Sequence, residues 1–199
     1  MLPTERNLTA VTHDISADAR AKIKNQKPLC LWLTGLSGAG KSTIANALDQ
    51  RLYGADFHTV VLDGDNIRNG LCRDLGFEAQ DRTENIRRVA EVARLMQQAG
   101  LIVIVAFISP LRAQREFARS LFATEEFFEI FIDTPLSVCE TRDPKGLYKK
   151  ARSGQLKDFT GLDSPYEAPL APEISLDASS LTLNDCVEVI LANCDLRHG

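Results

Sequence analysis

The chain has 199 residues, of which 44% are hydrophobic and 25% are charged, and its formal net charge is -4. This length suits one well-buried domain rather than two, and the acidic balance argues against nucleic acid as the main partner. The five cysteines include no C-x-x-C pair, which indicates neither a disulfide framework nor a zinc site and favours a reducing cytoplasm.

The apolar segments are too short to cross a membrane. The longest run, residues 101–108, is far below the roughly 20 residues that a spanning helix needs. The polar start of the chain lacks the basic and apolar regions of a signal peptide. We therefore expect a cytoplasmic protein with no membrane partner.

The N-terminal segment differs in composition from the rest of the chain. Residues 1–27 are mostly polar and are predicted to form an appendage with one short helix, Ala17–Lys24, capped by Ser16. Residues 28–199 are predicted to form the single domain.

Residues 35–42 form a complete G-x-x-x-x-G-K-[ST] phosphate-binding loop. The loop follows an apolar run at 29–33 and opens a helical pattern, so strand, glycine loop and helix come in the required order. Its backbone N–H groups would close around phosphates at the positive end of the helix, Lys41 would reach the β- and γ-phosphates, and Ser42 would ligate Mg²⁺. A chance match in a glycine-rich turn is the alternative. The residues predicted to bind ATP here are Gly35, Leu36, Ser37, Gly38, Ala39, Gly40, Lys41, Ser42 and Thr43.

Four further strands are predicted, at residues 59–62, 101–107, 127–132 and 174–177, separated by helical patterns or long crossovers. Such alternation predicts an α/β fold with a parallel sheet covered on both faces.

Two helices have clear sequence boundaries. One is predicted to follow Asp81 and to end at Gly100, with Asp81 and Glu84 as a capping-box variant. The other is predicted from Leu183 to about Cys194, with Thr182 as its cap.

Carboxylates follow the second predicted strand. Asp63 comes directly after the apolar run and is the candidate for holding Mg²⁺ and for orienting or deprotonating an acceptor hydroxyl, with Asp65 as second choice. The carboxyl edge of the sheet is where the phosphate loop also lies. An Asp-Gly turn that merely ends the strand is the alternative.

Basic residues form two groups beyond the phosphate loop. Arg82 and Asn85 share a face at a helix N-terminus, a natural seat for an anion, and Arg68 could converge there. Arg87 and Arg88 are as well explained as ordinary solvated arginines. The second group lies in residues 142–157, where turn residues suggest a lid, at about residues 144–163, that closes over phosphates; a solvated basic loop is the alternative.

Taken together, these segments closely resemble the adenylyl-sulfate kinases, a family of P-loop kinases. The matching blocks span most of residues 29–174: 35–42, 63–68, 74–77, 81–88, 107–110, 133–135, 142–151, 159–161 and 166–169. The resemblance implies a five-stranded parallel sheet with helices on both faces, a mobile basic lid and a homodimer. It also implies transfer of the γ-phosphate of MgATP to the ribose 3′-hydroxyl of adenylyl sulfate in sulfate assimilation.

The resemblance also assigns roles to individual residues. It places Arg142 near the ATP base, makes Phe77 and Phe159 a sandwich for the acceptor adenine, and matches Ser109 to a position assigned as a phosphoserine intermediate. The sequence gives Ser109 no activating histidine, so direct in-line transfer is our interpretation. Lys41, Asp63 and Ser109 are the catalytic candidates. The acceptor-binding set is Asp65, Arg68, Phe77, Arg82, Asn85, Ile108, Ser109, Lys149, Phe159, Gly161 and Leu162.

Two rival functions remain open at this point. Another small-molecule P-loop kinase, acting on a sugar or a nucleoside monophosphate, would share the phosphate loop but not the later blocks. A GTP-dependent switch would need an N-K-x-D motif, which the chain lacks. A fused sulfurylase does not fit in 199 residues, so ATP sulfurylase could only be a separate partner.

Overall fold

The computed structural model describes residues 14–197. Within this part of the chain, strands and helices alternate and no helix is long and apolar enough to cross a bilayer. The strands are β1 (Cys30–Thr34), β2 (Thr59–Asp63), β3 (Ile102–Ala106), β4 (Phe127–Ile132) and β5 (Ile174–Leu176). The helices are α1 (Ala17–Lys24), α2 (Lys41–Tyr53), α3 (Gly64–Asn69), α4 (Ala79–Gln98), α5 (Arg112–Ser120), α6 (Leu136–Arg142), α7 (Leu147–Arg152) and α8 (Leu183–Ala192).

The strands form one parallel sheet in the order β2-β3-β1-β4-β5, which confirms the predicted fold class. β1 lies at the centre, and its side chains alternate between two cores. Leu31 and Leu33 pack on the side of α2 and α8, whereas Cys30 and Trp32 pack on the side of α4. Because both faces of the sheet are covered, β1 is apolar throughout.

This strand order places the functional site. After β1 the chain crosses to β2 on one side of β1, and after β3 it crosses to β4 on the other side. Because the connections that follow the neighbouring strands β1 and β3 run in opposite directions, a crevice opens beyond the carboxyl ends of these two strands. The phosphate loop follows β1, and residues 107–110 follow β3 on the other side of that crevice.

Helix boundaries confirm two of the predicted caps. Ser16 accepts a hydrogen bond from Ala19 N at the start of α1, and Thr182 accepts one from Asp185 N at the start of α8. Gly100, with φ 85°, follows α4 in the left-handed conformation that the predicted end required.

The predicted capping box of α4 is wrong. The helix begins at Ala79 after Glu78, three residues earlier than expected, and Asp81 lies inside its first turn. The Asp81 carboxylate accepts a hydrogen bond from Gly76 N instead, and Glu84 pairs with arginines on its own helix. The Asp81 carboxylate therefore stabilises the loop before α4 instead of capping the N-terminus of the helix.

Residues 14–27, the described part of the predicted appendage, contact the domain. Ala21 is buried, and the fully buried Gln26 donates to the carbonyls of His58 and Gly100 while accepting from His58 N. Residues 1–13 lie outside the described residues, and the boundary at residue 28 stays a prediction.

Candidate active site

A cleft of about 880 Å³ opens at the carboxyl end of the sheet. One wall is the phosphate loop, and the opposite wall comes from α4 and the segment after β3. The sequence-predicted residues along it are Ser37, Gly38, Ala39, Gly40, Lys41, Ser42, Thr43, Asp63, Asp65, Arg68, Phe77, Arg82, Asn85, Ile108, Ser109, Arg142 and Phe159. The structure thus brings most of the predicted nucleotide and acceptor residues into one site.

The phosphate loop needs glycine at closely packed positions. Gly38 has φ 74°, and a Cβ built there would lie 3.0 Å from the Cys139 carbonyl oxygen. Gly40 has φ 116° and precedes α2 directly, so the loop delivers free N–H groups to the helix N-terminus. The result is an anion-binding cradle.

Lys41 is the buried cation of this cradle. The residue is only 8% exposed, and its Nζ donates to the carbonyls of Gly35 and Leu36 at 2.9 and 2.7 Å. Burial lowers the pKa of Lys41 to about 8, although the nearby carboxylates of Asp63 and Asp65 act to raise it. A phosphate group entering the cradle would restore the charged form.

Ser42 and Asp63 meet at the end of β2. The Ser42 hydroxyl donates to Asp63 Oδ2 at 2.6 Å, and Asp63 Oδ1 accepts from Asp65 N at 3.1 Å as the cap of α3. The second carboxylate behaves differently, because Asp65 forms an ion pair with Lys145 from the predicted lid.

The cleft wall opposite the phosphate loop, which the sequence predicts to bind the acceptor substrate and which is called the acceptor wall below, includes Asn85. This residue is 3% exposed, and among the described buried side-chain atoms its Oδ1 is the one without a hydrogen-bond partner. Arg82, one turn earlier on α4, donates to the carbonyls of Phe77 and Asp158 and to the Thr160 hydroxyl. A buried side-chain oxygen in the cleft wall with no hydrogen-bond partner is a feature that a donor on a ligand would complete.

Phe77 and Phe159 both line the cleft but differ in their surroundings. Phe77 is 65% exposed, with the Arg68 guanidinium 4.4 Å from its ring centre. Phe159 is buried and packs edge-on against Tyr148 at 4.9 Å between ring centres. An exposed ring held beside a cation offers a face for stacking.

Arg142 and α8 form the far end of the cleft. Arg142 donates to the carbonyls of Ala39 and Ala178 at 3.2 and 2.6 Å, and Leu183 and Cys186 line the wall beside it. Leu183 and Cys186 give this end an apolar surface on which a planar ring could pack.

Some predicted site residues do not line this cleft. Gly161 and Leu162, predicted to bind the acceptor, and Leu36, predicted to bind ATP, line a smaller neighbouring pocket of about 410 Å³. Gly35, also predicted to bind ATP, lines neither pocket. Lys149 is exposed and its main-chain N–H donates to Asp143.

Several residues at the site escaped prediction. Thr160 bonds Arg82, and the Tyr148 hydroxyl donates to the Ser37 carbonyl at 3.0 Å, which joins the predicted lid to the phosphate loop. An aromatic residue within a basic run was the sequence signal that could have indicated a role for Tyr148. No sequence signal indicates the role of Thr160, because Arg82, its hydrogen-bond partner, is 78 residues away.

The parallel sheet, the phosphate loop and a cleft shared by two walls of polar groups define a P-loop kinase. The sequence model of the adenylylsulphate kinase family matches residues 27–177. An adenylyl-sulfate kinase of Marinobacter nauticus is 58% identical over 192 residues, covering 96% of each chain.

Solved structures agree with the sequence relatives. The APS kinase of Mycobacterium tuberculosis, in complex with AMPPNP and APS, superposes with a TM-score of 0.81 at 44% identity, covering 84% of this chain and 97% of that one. A hexameric APS kinase from Thiobacillus denitrificans superposes with a TM-score of 0.65 at 31% identity, covering 85% of this chain and 29% of that one.

The chain belongs to the adenylyl-sulfate kinase family. It is an ATP-dependent phosphotransferase with an alcohol group as acceptor, and its role is in sulfate assimilation. The two rival functions left open by the sequence are thereby set aside.

Proposed function

We propose that this cleft transfers the γ-phosphate of MgATP to the ribose 3′-hydroxyl of adenylyl sulfate, giving 3′-phosphoadenylyl sulfate and ADP. The observation that carries the assignment is the arrangement of two different walls around one cleft. The phosphate loop with Lys41 faces an acceptor wall that holds the unsatisfied Asn85 amide. The M. tuberculosis relative described with AMPPNP and APS supports two nucleotides in such a site.

ATP would lie along the phosphate loop. The N–H groups at the N-terminus of α2 would bind the phosphates, and Lys41 would neutralise the charge on the transferred group. The base lies toward Arg142 and α8, where Leu183 and Cys186 provide an apolar surface. This placement directs the γ-phosphate toward the acceptor wall.

Ser42 and Asp63 fit a magnesium ion that arrives with ATP. They present hydroxyl and carboxylate oxygens 2.6 Å apart, which are the hard ligands Mg²⁺ prefers, and the remaining ligands would come from phosphates and water. Among residues 14–197, no cluster of three or more His, Cys, Asp or Glu offers a site made wholly of protein ligands. When bound, the ion would neutralise developing charge on the phosphates.

Adenylyl sulfate would occupy the acceptor wall. Asn85 offers its amide, Arg82 and Arg68 provide charge for the anionic group, and Phe77 and Phe159 provide rings for the adenine. Paired N–H donors of arginine suit a planar or tetrahedral anion better than the single point charge of lysine. The smaller pocket beside Gly161 and Leu162 would contribute only through the predicted lid.

Asp63 is our candidate for orienting the acceptor hydroxyl and taking its proton. Ser109 is a pocket residue in this mechanism, because its Oγ accepts a hydrogen bond from Trp32 Nε1 at 3.0 Å and it is 2% exposed. A direct in-line transfer needs no covalent intermediate on that oxygen.

The oligomeric state, the cellular compartment and a partner enzyme are also proposed. We propose a homodimer in the cytoplasm, where reducing conditions suit the five free, buried cysteines. A separate ATP sulfurylase would supply the acceptor. Because one relative is described as hexameric, light scattering of the purified chain should test the dimer directly.

The function is tested by ADP release across a panel of acceptors. We expect turnover with adenylyl sulfate and at most background rates with gluconate, shikimate or adenosine monophosphate. The matched control is Lys41→Met, which keeps the aliphatic stem but removes the charge. Turnover with another member of the panel at a rate equal to that of adenylyl sulfate would overturn the substrate assignment.

A further inference from the structure

The backbone on the acceptor side of the cleft is held in an unusual conformation. Residues 107–110 follow β3 and line the cleft. Ser109 has φ 38°, in the left-handed region that residues other than glycine rarely adopt. Such a conformation persists only where the surrounding structure fixes it.

Arg115 on α5 supplies that restraint. The residue is 2% exposed, and each part of its guanidinium is bonded: Nη1 donates to the Ser109 carbonyl at 2.7 Å, Nη2 to the Glu167 carbonyl at 2.6 Å, and Nε to Glu129 Oε1 at 2.6 Å. The ion pair with Glu129 explains how the charge is tolerated in the interior. The ion pair does not explain why the other two donors both face main-chain carbonyls.

One of those carbonyls belongs to residues 107–110, which line the cleft, and the other belongs to the chain that follows the predicted lid. Pro110 accepts from Glu167 N at 2.8 Å, so residues 107–110 and the chain that follows the predicted lid are already joined there. Thr34 holds the same region from β1, because its hydroxyl donates to the Ile108 carbonyl at 2.7 Å. Arg115 is therefore the charged member of a buried clamp on the acceptor wall.

We propose that Arg115 is a positioning residue for the acceptor nucleotide. It fixes the Ser109 carbonyl, and through it the direction in which Ile108 and Ser109 face the cleft, without itself contacting either substrate. This proposal rests on the proposed function, because it assigns that wall to adenylyl sulfate. Its consequence is selective: loss of the clamp weakens acceptor binding and leaves ATP binding at the phosphate loop unchanged.

The experiment compares two ways of removing the clamp. Arg115→Lys keeps a charge beside Glu129 but lacks the planar fork that spans the two carbonyls. The double variant Arg115→Met with Glu129→Met removes both buried charges together, so that neither is left unpaired. The control is Arg119→Met, one turn later on α5, which loses ion pairs to Glu129 and Glu173 but no bond to residues 107–110.

Calorimetric titration would measure adenylyl sulfate and a non-hydrolysable ATP analogue separately, with a thermal melt for each variant. We expect about a 10-fold or greater loss of adenylyl sulfate affinity in both clamp variants, since each loses a charge-assisted hydrogen bond to a positioned carbonyl. The analogue's affinity should change less than about 2-fold, within the scatter of distant substitutions. Arg119→Met should match the wild type for both ligands.

Three outcomes would contradict the proposed role of Arg115. Equal weakening of both ligands, unchanged acceptor affinity in a folded clamp variant, or failure of both clamp variants to fold would overturn the positioning role, because each assigns Arg115 to general stability. If the wild type itself does not bind adenylyl sulfate, the proposed function fails, which is a separate outcome read from the first titration.

Discussion

The Ser42 hydroxyl donates to Asp63 Oδ2 at 2.6 Å, although the two residues are 21 positions apart and lie on different elements. Ser42 opens α2, and Asp63 ends β2. A second bond from Asp65 N to Oδ1 fixes the other carboxylate oxygen, so the Asp63 side chain has both oxygens engaged. This pairing is the part of the site that we expect to be most sensitive to charge.

Asp63→Asn should reduce kcat by at least about 100-fold while changing the KM for adenylyl sulfate little, because the amide keeps the shape but loses the charge needed for metal and proton placement. Asp65→Asn is the comparison, since Asp65 is paired with Lys145 rather than with Ser42. Steady-state kinetics with each substrate varied would measure both. A larger kcat loss in Asp65→Asn would reverse our ordering of the two carboxylates.

Lys41→Met should abolish detectable transfer while the chain stays folded. The methionine stem fills the buried space of the 8% exposed lysine, but the charge that neutralises the transferring phosphoryl group is lost. Circular dichroism checks the fold, and product formation checks the activity. Near-normal turnover would show that this loop does not hold the reacting phosphates.

ATP affinity should fall as pH rises above about 8. Burial lowers the pKa of Lys41 to about 8 in the free protein, whereas bound phosphates favour the charged form and raise it. Above that pH, ATP binding therefore requires uptake of a proton, and the dissociation constant should rise by up to about 10-fold per pH unit.

The same shift has a stability consequence of defined sign. Between about pH 8 and the ordinary value of 10.5, the unfolded chain holds the Lys41 proton and the folded chain does not, so this group's contribution to the unfolding free energy grows with pH.

Calorimetric titration with ATP at pH 7, 8 and 9.5 would measure the predicted pH dependence of ATP binding. Lys41→Arg is the control, because its guanidinium stays charged; an equal pH dependence in that variant would exclude Lys41 as the group responsible.

Arg82→Ala should weaken adenylyl sulfate binding by about 10- to 100-fold, the loss expected for a charge-assisted contact worth about 1.5 to 3 kcal/mol. ATP binding should hardly change. Separate calorimetric titrations of the two ligands measure the difference. Arg82 also bonds the Thr160 hydroxyl, so Thr160→Val serves as the control for the loss of that contact alone. Equal weakening of both ligands by Arg82→Ala would refute an acceptor-side role.

The sequence predicts the parts of this site that are local along the chain. The phosphate loop is a contiguous motif between an apolar run and a helix, and Arg82 and Asn85 are one helical turn apart. The buried residues Ile86, Val89, Ala90 and Ala93 follow the 3.6-residue period that predicted α4. In each case the signal lies within a few residues.

Other features have no local signal. The six-residue helix α3 follows β2 without a loop, and the sequence predicts no helix there, because an Asp-Gly pair is typical of a turn. The pairing of Asp65 with Lys145 joins residues 80 positions apart. Arg115 resembles an ordinary surface arginine in the sequence, and only the fold shows that it is buried against Glu129. Such contacts depend on tertiary packing, which no single-sequence pattern encodes.

The most direct test of the central claim is to identify the atom that receives the phosphate. The purified chain would be incubated with MgATP and adenylyl sulfate, and in parallel with the 3′-deoxy and 2′-deoxy analogues, and the products would be followed by mass spectrometry and phosphorus NMR. We predict one added phosphate on adenylyl sulfate and on its 2′-deoxy analogue, and none on the 3′-deoxy analogue. Phosphorylation of the 3′-deoxy analogue at a rate comparable to that of adenylyl sulfate would contradict the account.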